Sequence, residues 1–207
     1  TEVRDHSSHL VAAFTYNSGH QVLTATRYPG DGSSYLTQYS YDLGQPKSRL
    51  TPAGLLTTWN YDTDRRVSSI VDTATGTPTR TRSFTWLTGQ LRTATDELGL
   101  KRTFTFDKLD RLSQVDFAPN GVPDGTTVQH SYVLQPGEGF NNTGSPIPIL
   151  DRTATKDRLN KWTRYGYNRL RQLTTLTDPL THTTTYIYCP CGALETIRNA
   201  LQQDTVY

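Results

Sequence analysis

The chain has 207 residues, only 34% of them hydrophobic but 10% aromatic, with 12 tyrosines and a net charge of +2 from 21 basic and 19 acidic side chains. That near-neutral balance, with Arg49, Arg65, Arg66, Arg92, Arg111 and Arg171 scattered instead of clustered, gives no electrostatic ground for a nucleic-acid partner. No run of 18 apolar residues is present to span a membrane, no apolar leader is readable, and the lack of any Met gives the expectation of an excised segment of a larger protein.

Pairs of aromatic residues separated by one residue recur along the chain, each reading as the end of a β-strand whose rings share one face. Phe14-Thr-Tyr16, followed by Asn17, opens the series. Tyr39-Ser-Tyr41-Asp42, Trp59-Asn-Tyr61-Asp62, Phe84-Thr-Trp86 and Phe104-Thr-Phe106-Asp107 follow, and Tyr165-Gly-Tyr167-Asn168 and Tyr186-Ile-Tyr188 close it. From Tyr41 to Tyr61 and from Trp86 to Phe106 the step is 20 residues, and from Tyr167 to Tyr188 it is 21. A fixed period of this size marks units that bury their apolar faces only against their neighbours. Each aromatic pair is predicted to be structural, contributing cross-strand ring contacts of roughly 0.2–1 kcal/mol. An exposed row of the same rings is the alternative, a platform for stacking sugars.

Asp42, Asp62, Asp107 and Asn168 alternate between carboxylate and amide directly after the second aromatic, and Asn17 follows Phe14-Thr-Tyr16 in the same way. Acid–base chemistry does not tolerate that exchange, whereas a side chain accepting backbone N–H groups of the following turn does, so these residues are predicted to cap turns. A second rhyme follows each pair: Asp64-Arg65-Arg66-Val67-Ser-Ser-Ile70-Val71-Asp72, Asp110-Arg111-Leu112-Ser-Gln-Val115-Asp116 and Arg171-Gln-Leu173-Thr-Thr-Leu176-Thr-Asp178-Pro179. The arginines in it read as solvated turn residues pairing with neighbouring aspartates, or as a stacked ladder.

These phased motifs resemble the YD-repeat family, which includes Rhs proteins, the C components of insecticidal Tc toxins, bacterial wall-associated proteins and teneurins. The family pattern, approximately YxYDxxGRLxxxxDPxGxxTxYxYD, covers about residues 14 to 207 with one degraded stretch. Two of its glycine positions depart here: Asp64 and Asp110 stand at the first, Asn160 and Thr181 at the second. Asp and Asn keep the left-handed turn chemistry, and Thr181 is the one expected to break it.

Between Thr126 and Lys161 the phase breaks, with an inserted loop expected at about 135–150. Pro119-Asn-Gly121-Val-Pro123-Asp-Gly125 leads into a strand expected at Val128 to Leu134, and the turn-rich segment after it reads as an inserted loop pinned to the sheet by Ile147, Ile149 and Leu150. Its readings are a tolerated insertion or a partner contact; Glu138 is its one acidic residue, and Asn141-Asn142-Thr143 fits a glycosylation acceptor. After Tyr188, Cys189-Pro190-Cys191 replaces the aspartate and turn. The thiol pair reads as a structural turn, free or bridged, or as a redox or metal pair with His182 as a third ligand. The remaining histidines (His6, His9, His20, His130) form no HExxH spacing, and Gly30-Asp-Gly32-Ser-Ser-Tyr35 is a turn without the Lys of a phosphate loop. The residues therefore designate no catalytic site and no cofactor.

The expected fold is all-β, a single segment over 1–207 with repeats at about 14–134 and 151–207, built of consecutive antiparallel hairpins with strands of about 7–9 residues. The resemblance implies a curved wall of a spiral β-shell, non-catalytic, extracellular or at the cell surface. Its partners would be other repeats of the same parent chain or copies of itself, with a toxin domain enclosed or presented. The alternatives are a surface adhesion or carbohydrate-binding module, and an extracellular fibre assembling edge to edge.

Overall fold

The computed structural model describes residues 1–135 and 145–207, which divide into two compact units, Thr1–Lys101 and Arg102–Tyr207. The first unit holds β1 (Glu2–Arg4), β2 (Leu10–Tyr16), β3 (Val22–Arg27), β4 (Tyr35–Asp42) and β5 (Gln45–Leu50), then β6 (Leu56–Tyr61), β7 (Val67–Thr73), β8 (Arg80–Leu87) and β9 (Gln90–Thr95). Each pairs antiparallel with the next in the chain. The second unit takes up at β10 (Lys101–Phe106) and continues through β11 (Leu112–Ala118), a short 3-10 turn at Pro119–Gly121 and β12 (Thr127–Ser131). Beyond the interruption come β15 (Ala154–Lys156), β16 (Trp162–Tyr167), β17 (Leu173–Thr177), β18 (Thr183–Tyr188), β19 (Leu194–Arg198) and β20 (Asp204–Val206), again paired in sequence order.

Both units are meanders of consecutive hairpins, so the all-β reading holds. Most of the described strands are shorter than expected, the full range being two to eight residues, because turns of up to five residues and bulges such as those opposite Tyr61 and Tyr167 take up part of the repeat. The phase break is also resolved differently. The strand expected from Val128 to Leu134 ends at Ser131; Val133–Leu134 (β13) leaves the ladder and pairs with Ile147–Pro148 (β14). Backbone groups pin this two-stranded ladder, Ile149 N–H to Tyr132 O at 2.8 Å among them, while the Ile147 and Leu150 side chains expected to do so are exposed. Glu138 and the Asn141-Asn142-Thr143 acceptor lie outside the described residues.

Alternation separates two faces. In the first unit Tyr39, Arg49, Thr57, Asp72 and Arg80 stand in one cross-strand row, with Trp59, Ile70 and Arg82 in the next. The reverse face carries hydroxyl and amide pairs: Thr15 with Thr24 (2.7 Å), Ser40 with Ser48 (2.6 Å), Asn60 with Ser69 (2.9 Å) and Thr85 with Thr93 (2.7 Å). Among the described residues the buried apolar side chains are small or few, Ala94, Val115 and Ala154, and no large side chain is fully enclosed. A sheet normally buries one face against another layer; here the motif rings are half-buried, except Tyr16, which is exposed. No helix among the described residues is long and apolar enough to cross a membrane.

Candidate functional site

One five-residue turn recurs eleven times among the described residues, led by Asp5, Asn17, Thr51, Asp62, Asp96, Asp107, Asp157, Asn168, Asp178, Cys189 and Asn199. The leading residue donates its N–H to the carbonyl four residues on, and its carbonyl accepts the N–H of the third residue on, as in Asp62 to Arg66 (2.9 Å) and Arg65 to Asp62 (3.0 Å). The fourth residue has positive φ, the geometry of a type I turn closed by a left-handed bulge residue. In nine copies the Asp or Asn Oδ1 also accepts the N–H groups two and four residues on; for Asp62 these come from Asp64 and Arg66, both at 2.9 Å.

The geometry corrects the expected glycine replacements. Positive φ falls on Arg65, not on Asp64, which sits one position earlier. Asp110, Asn160, Arg171 and Thr181 all occupy the same turn position, so Thr181 (φ 70°) follows the pattern it was expected to break. Asp42 differs as well: it lies within β4 opposite Gln45, and the turn after it is the two-residue Leu43-Gly44.

A residue just after the positive-φ position, the fifth in the five-residue turns and Gln45 after the two-residue Leu43-Gly44, ties one turn to the next. Gln21 Nε2 donates to Gly44 O (2.7 Å), Gln45 Nε2 to Arg65 O (2.8 Å) and Gln172 Nε2 to Gly192 O (2.8 Å). Where this residue is Arg it closes back on the cap: Arg66 meets Asp62 at 2.8 Å and Asp64 at 2.6 Å, and Arg111 meets Asp107 at 2.7 Å. The Asp62 carboxyl is held below the usual carboxylate range chiefly by the Arg66 backbone N–H, and that of Asp107 chiefly by the Arg111 guanidinium. These two arginines are more enclosed than solvated turn residues, and Arg111 lies 3.8 Å from the centre of the Tyr132 ring.

The aromatic pairs divide the work. The first ring stands directly across the ladder from an apolar residue, Trp59 from Ile70, Phe84 from Ala94, Tyr165 from Leu176 and Tyr186 from Ile197, while Tyr39 stands opposite Arg49. The second ring stands at a bulge and sends its polar atom into the preceding hairpin. Tyr41 Oη donates to Val22 O (3.0 Å), Tyr61 Oη to Pro46 O (2.6 Å), Trp86 Nε1 to Val67 O (2.8 Å), Tyr167 Oη to Arg152 O (3.1 Å) and Tyr188 Oη to Leu173 O (2.9 Å). In four of these the acceptor adjoins the bulged residue, where the ladder is interrupted and a carbonyl needs a partner. Tyr132, absent from the sequence motifs, makes the sixth such bond, to Leu112 O at 3.2 Å. Phe104 and Phe106 lie in β10 and lack a donor. A neutral hydrogen bond of this kind contributes about 1 kcal/mol, and it is directional, fixing one repeat against the last.

Sequence reasoning missed a polar row on the aromatic face. Thr57, 3% exposed, donates to Asp72 Oδ1 at 2.6 Å, and Arg82 reaches Asp72 Oδ2 at 2.8 Å. Thr57, Asp72 and Arg82 lie on three different strands, so only the register brings them together. An open concavity of about 700 Å³ lies beside Arg111, His130, Tyr132 and Trp162. Its His130 Nδ1 lies 3.4 Å from Thr155 Oγ1, and burial together with nearby Arg152 lowers the imidazole's affinity for a proton. Cys189 and Cys191 are joined by a disulfide within their turn. Among the described residues no group of three or more His, Cys, Asp and Glu is placed to hold a metal.

No family model matches the chain, and no curated protein matches it in sequence. Solved structures do match in fold. A TcdB2-TccC3-Cdc42 crystal structure superposes with a TM-score of 0.69 at 14% identity, over 92% of this chain and 11% of that one. The Tc holotoxin pore of Photorhabdus luminescens, carrying a TccC3 substitution, gives 0.69 at 14% identity, over 96% and 12%. TcdB2-TccC3 without its hypervariable C-terminal region gives 0.65 at 15% identity, over 96% and 11%. This chain spans about a tenth of the length of those chains. The chain is built on the YD/Rhs repeat fold, the fold seen in the TcdB2-TccC3 structures.

Proposed function

We propose that this chain is a non-catalytic wall segment of an extracellular repeat shell that encloses or presents a toxin domain. The observation that carries the reading is the bond from the second aromatic of a repeat to a backbone carbonyl of the preceding hairpin, made five times and repeated by Tyr132. Such a bond serves cohesion along a continuous sheet, and the fold likeness to TcdB2-TccC3 supports a shell as the setting. The small number of buried apolar residues is what a wall would have if further repeats or an enclosed domain cover it.

A sugar-stacking platform draws less support, because the motif rings other than Tyr16 are half-buried and the polar tips of Tyr41, Tyr61, Trp86, Tyr167 and Tyr188 are committed to backbone. A self-assembling fibre has no observation in its favour beyond the strand edges common to open sheets.

The test is intact mass and limited proteolysis of the native protein that contains this sequence. A parent several-fold larger, with a non-repeat domain resistant to protease until the repeats are denatured, is the expected result. A native species of 23.2 kDa, or a flanking domain cleaved as fast as in isolation, would overturn enclosure.

A further inference from the structure

We propose that the Cys189–Cys191 disulfide is a thiol-exchange site that replaces, by a reducible covalent bond, the side-chain cap used by the other turns. In the Asp and Asn copies the leading side chain restrains the turn by accepting the N–H groups two and four residues on; Asn168 takes those of Leu170 (2.9 Å) and Gln172 (3.0 Å). Cys189 leads the same turn, with Cys189 N–H to Ala193 O at 3.0 Å and Gly192 N–H to Cys189 O at 2.9 Å, but sulfur is a poor acceptor of such bonds. The second cysteine stands at the position whose N–H the Asp or Asn would hold, so the disulfide links the same two residues that the missing hydrogen bond would link. Pro190 between them fixes its own φ, and Gly192 takes the left-handed position at φ 88°.

The turn is coupled to its neighbour. Gly192 O accepts from Gln172 Nε2 at 2.8 Å, and Tyr188, immediately before the disulfide, donates to Leu173 O at 2.9 Å. Opening the disulfide therefore loosens the hairpin of β18 and β19 and both of its ties to the hairpin of β16 and β17. Cys191 is exposed and Cys189 half-buried, which directs an incoming thiolate to Cys191 Sγ. A dithiol reductant attacks there, forming a mixed disulfide as Cys189 leaves as a thiolate and takes up a proton. The reductant's second thiolate then attacks its own sulfur in the mixed disulfide and releases Cys191, so that the protein gains two electrons and two protons and the dithiol becomes a cyclic disulfide.

Hydrogen exchange with mass spectrometry, on the full chain with and without dithiothreitol, tests this. Reduction under native conditions should add about 2 Da and speed exchange across 185–198 roughly fivefold, the size of one lost cap, with 162–168 affected less and the first unit unchanged. A double substitution Cys189→Asp with Cys191→Ala rebuilds the carboxylate cap and should be slow with or without reductant. Cys189→Ala with Cys191→Ala, which has neither disulfide nor side-chain acceptor, should exchange like the reduced protein in both conditions. A mass gain with no change in exchange, or no reduction by millimolar dithiothreitol, overturns the proposal.

Discussion

From β4 to β8 hairpin follows hairpin without a break, whereas from β11 to β16 the chain leaves the ladder after Ser131 and rejoins it at β15, a strand of three residues. The same inter-repeat bond nonetheless serves both regions. In the regular region Tyr61 reaches Pro46 O at 2.6 Å; in the interrupted one Tyr132 reaches Leu112 O at 3.2 Å, with Arg111 stacked on its ring. Arg111 Nη1 then takes Ile149 O at 2.6 Å, so the returning segment is held by the residue that closes the preceding turn. Buried Thr153 completes the return, its N–H on Ser131 O at 2.8 Å and its hydroxyl on Val133 O at 2.8 Å. The contrast teaches that loop length does not set the phase of this fold. An aromatic residue whose polar tip reads a carbonyl of the previous hairpin sets it, and chain can be inserted wherever that bond can still form.

Removing the ring should separate the two regions most strongly. Tyr61→Ala loses a half-buried ring and one hydrogen bond, about 2–3 kcal/mol in chemical denaturation. Tyr132→Ala should cost as much and also release the 145–150 segment to protease, since Arg111 loses the ring that positions it. Equal protease resistance of that segment in both variants would break the claim that Tyr132 organises the return.

Acid should treat the two regions alike. Asp62 in one and Asp107 in the other both have lowered carboxyl pKa values, held by Arg66 and Arg111. A carboxylate that releases its proton more readily when folded adds stability above its unfolded pKa of about 4, and that stability is lost as pH falls through the lower folded value. Hydrogen exchange at pH 5 and then pH 3 should show turns 62–66 and 107–111 loosening together, while 17–21, capped by Asn17, is retained. Equal loosening of the Asn-capped turn would show that the carboxylates are not the cause.

Much of this was legible in the residues. The phased aromatic pairs gave the strands, and the exchange of Asp for Asn after them pointed to backbone capping, which the turn at Asp62 and that at Asn168 both display. Asp42 was misleading because a two-residue turn follows the same Tyr-x-Tyr-Asp text; only the adjacent Leu43-Gly44, with positive φ at both, distinguishes it. Bulges were not readable, since one extra residue opposite Tyr61 or Tyr167 leaves the ring on the same face and the alternation apparently intact. Tyr132 was missed because it has no aromatic partner two residues earlier, and its role depends on a carbonyl 20 residues away. Gly166 between Tyr165 and Tyr167 is a further case. A Cβ there would lie 2.3 Å from Thr175 Oγ1, a crowding set by the opposite strand and invisible in its own segment.

The claim that repeats cohere through the second aromatic is tested most directly by Tyr61→Phe, which removes one oxygen and keeps the ring. Native-state hydrogen exchange of this variant should show faster exchange in the preceding hairpin, 35–50, by about fivefold for a bond of about 1 kcal/mol, with 80–95 unchanged. No change at 35–50, or a uniform change over the whole chain, would contradict the account.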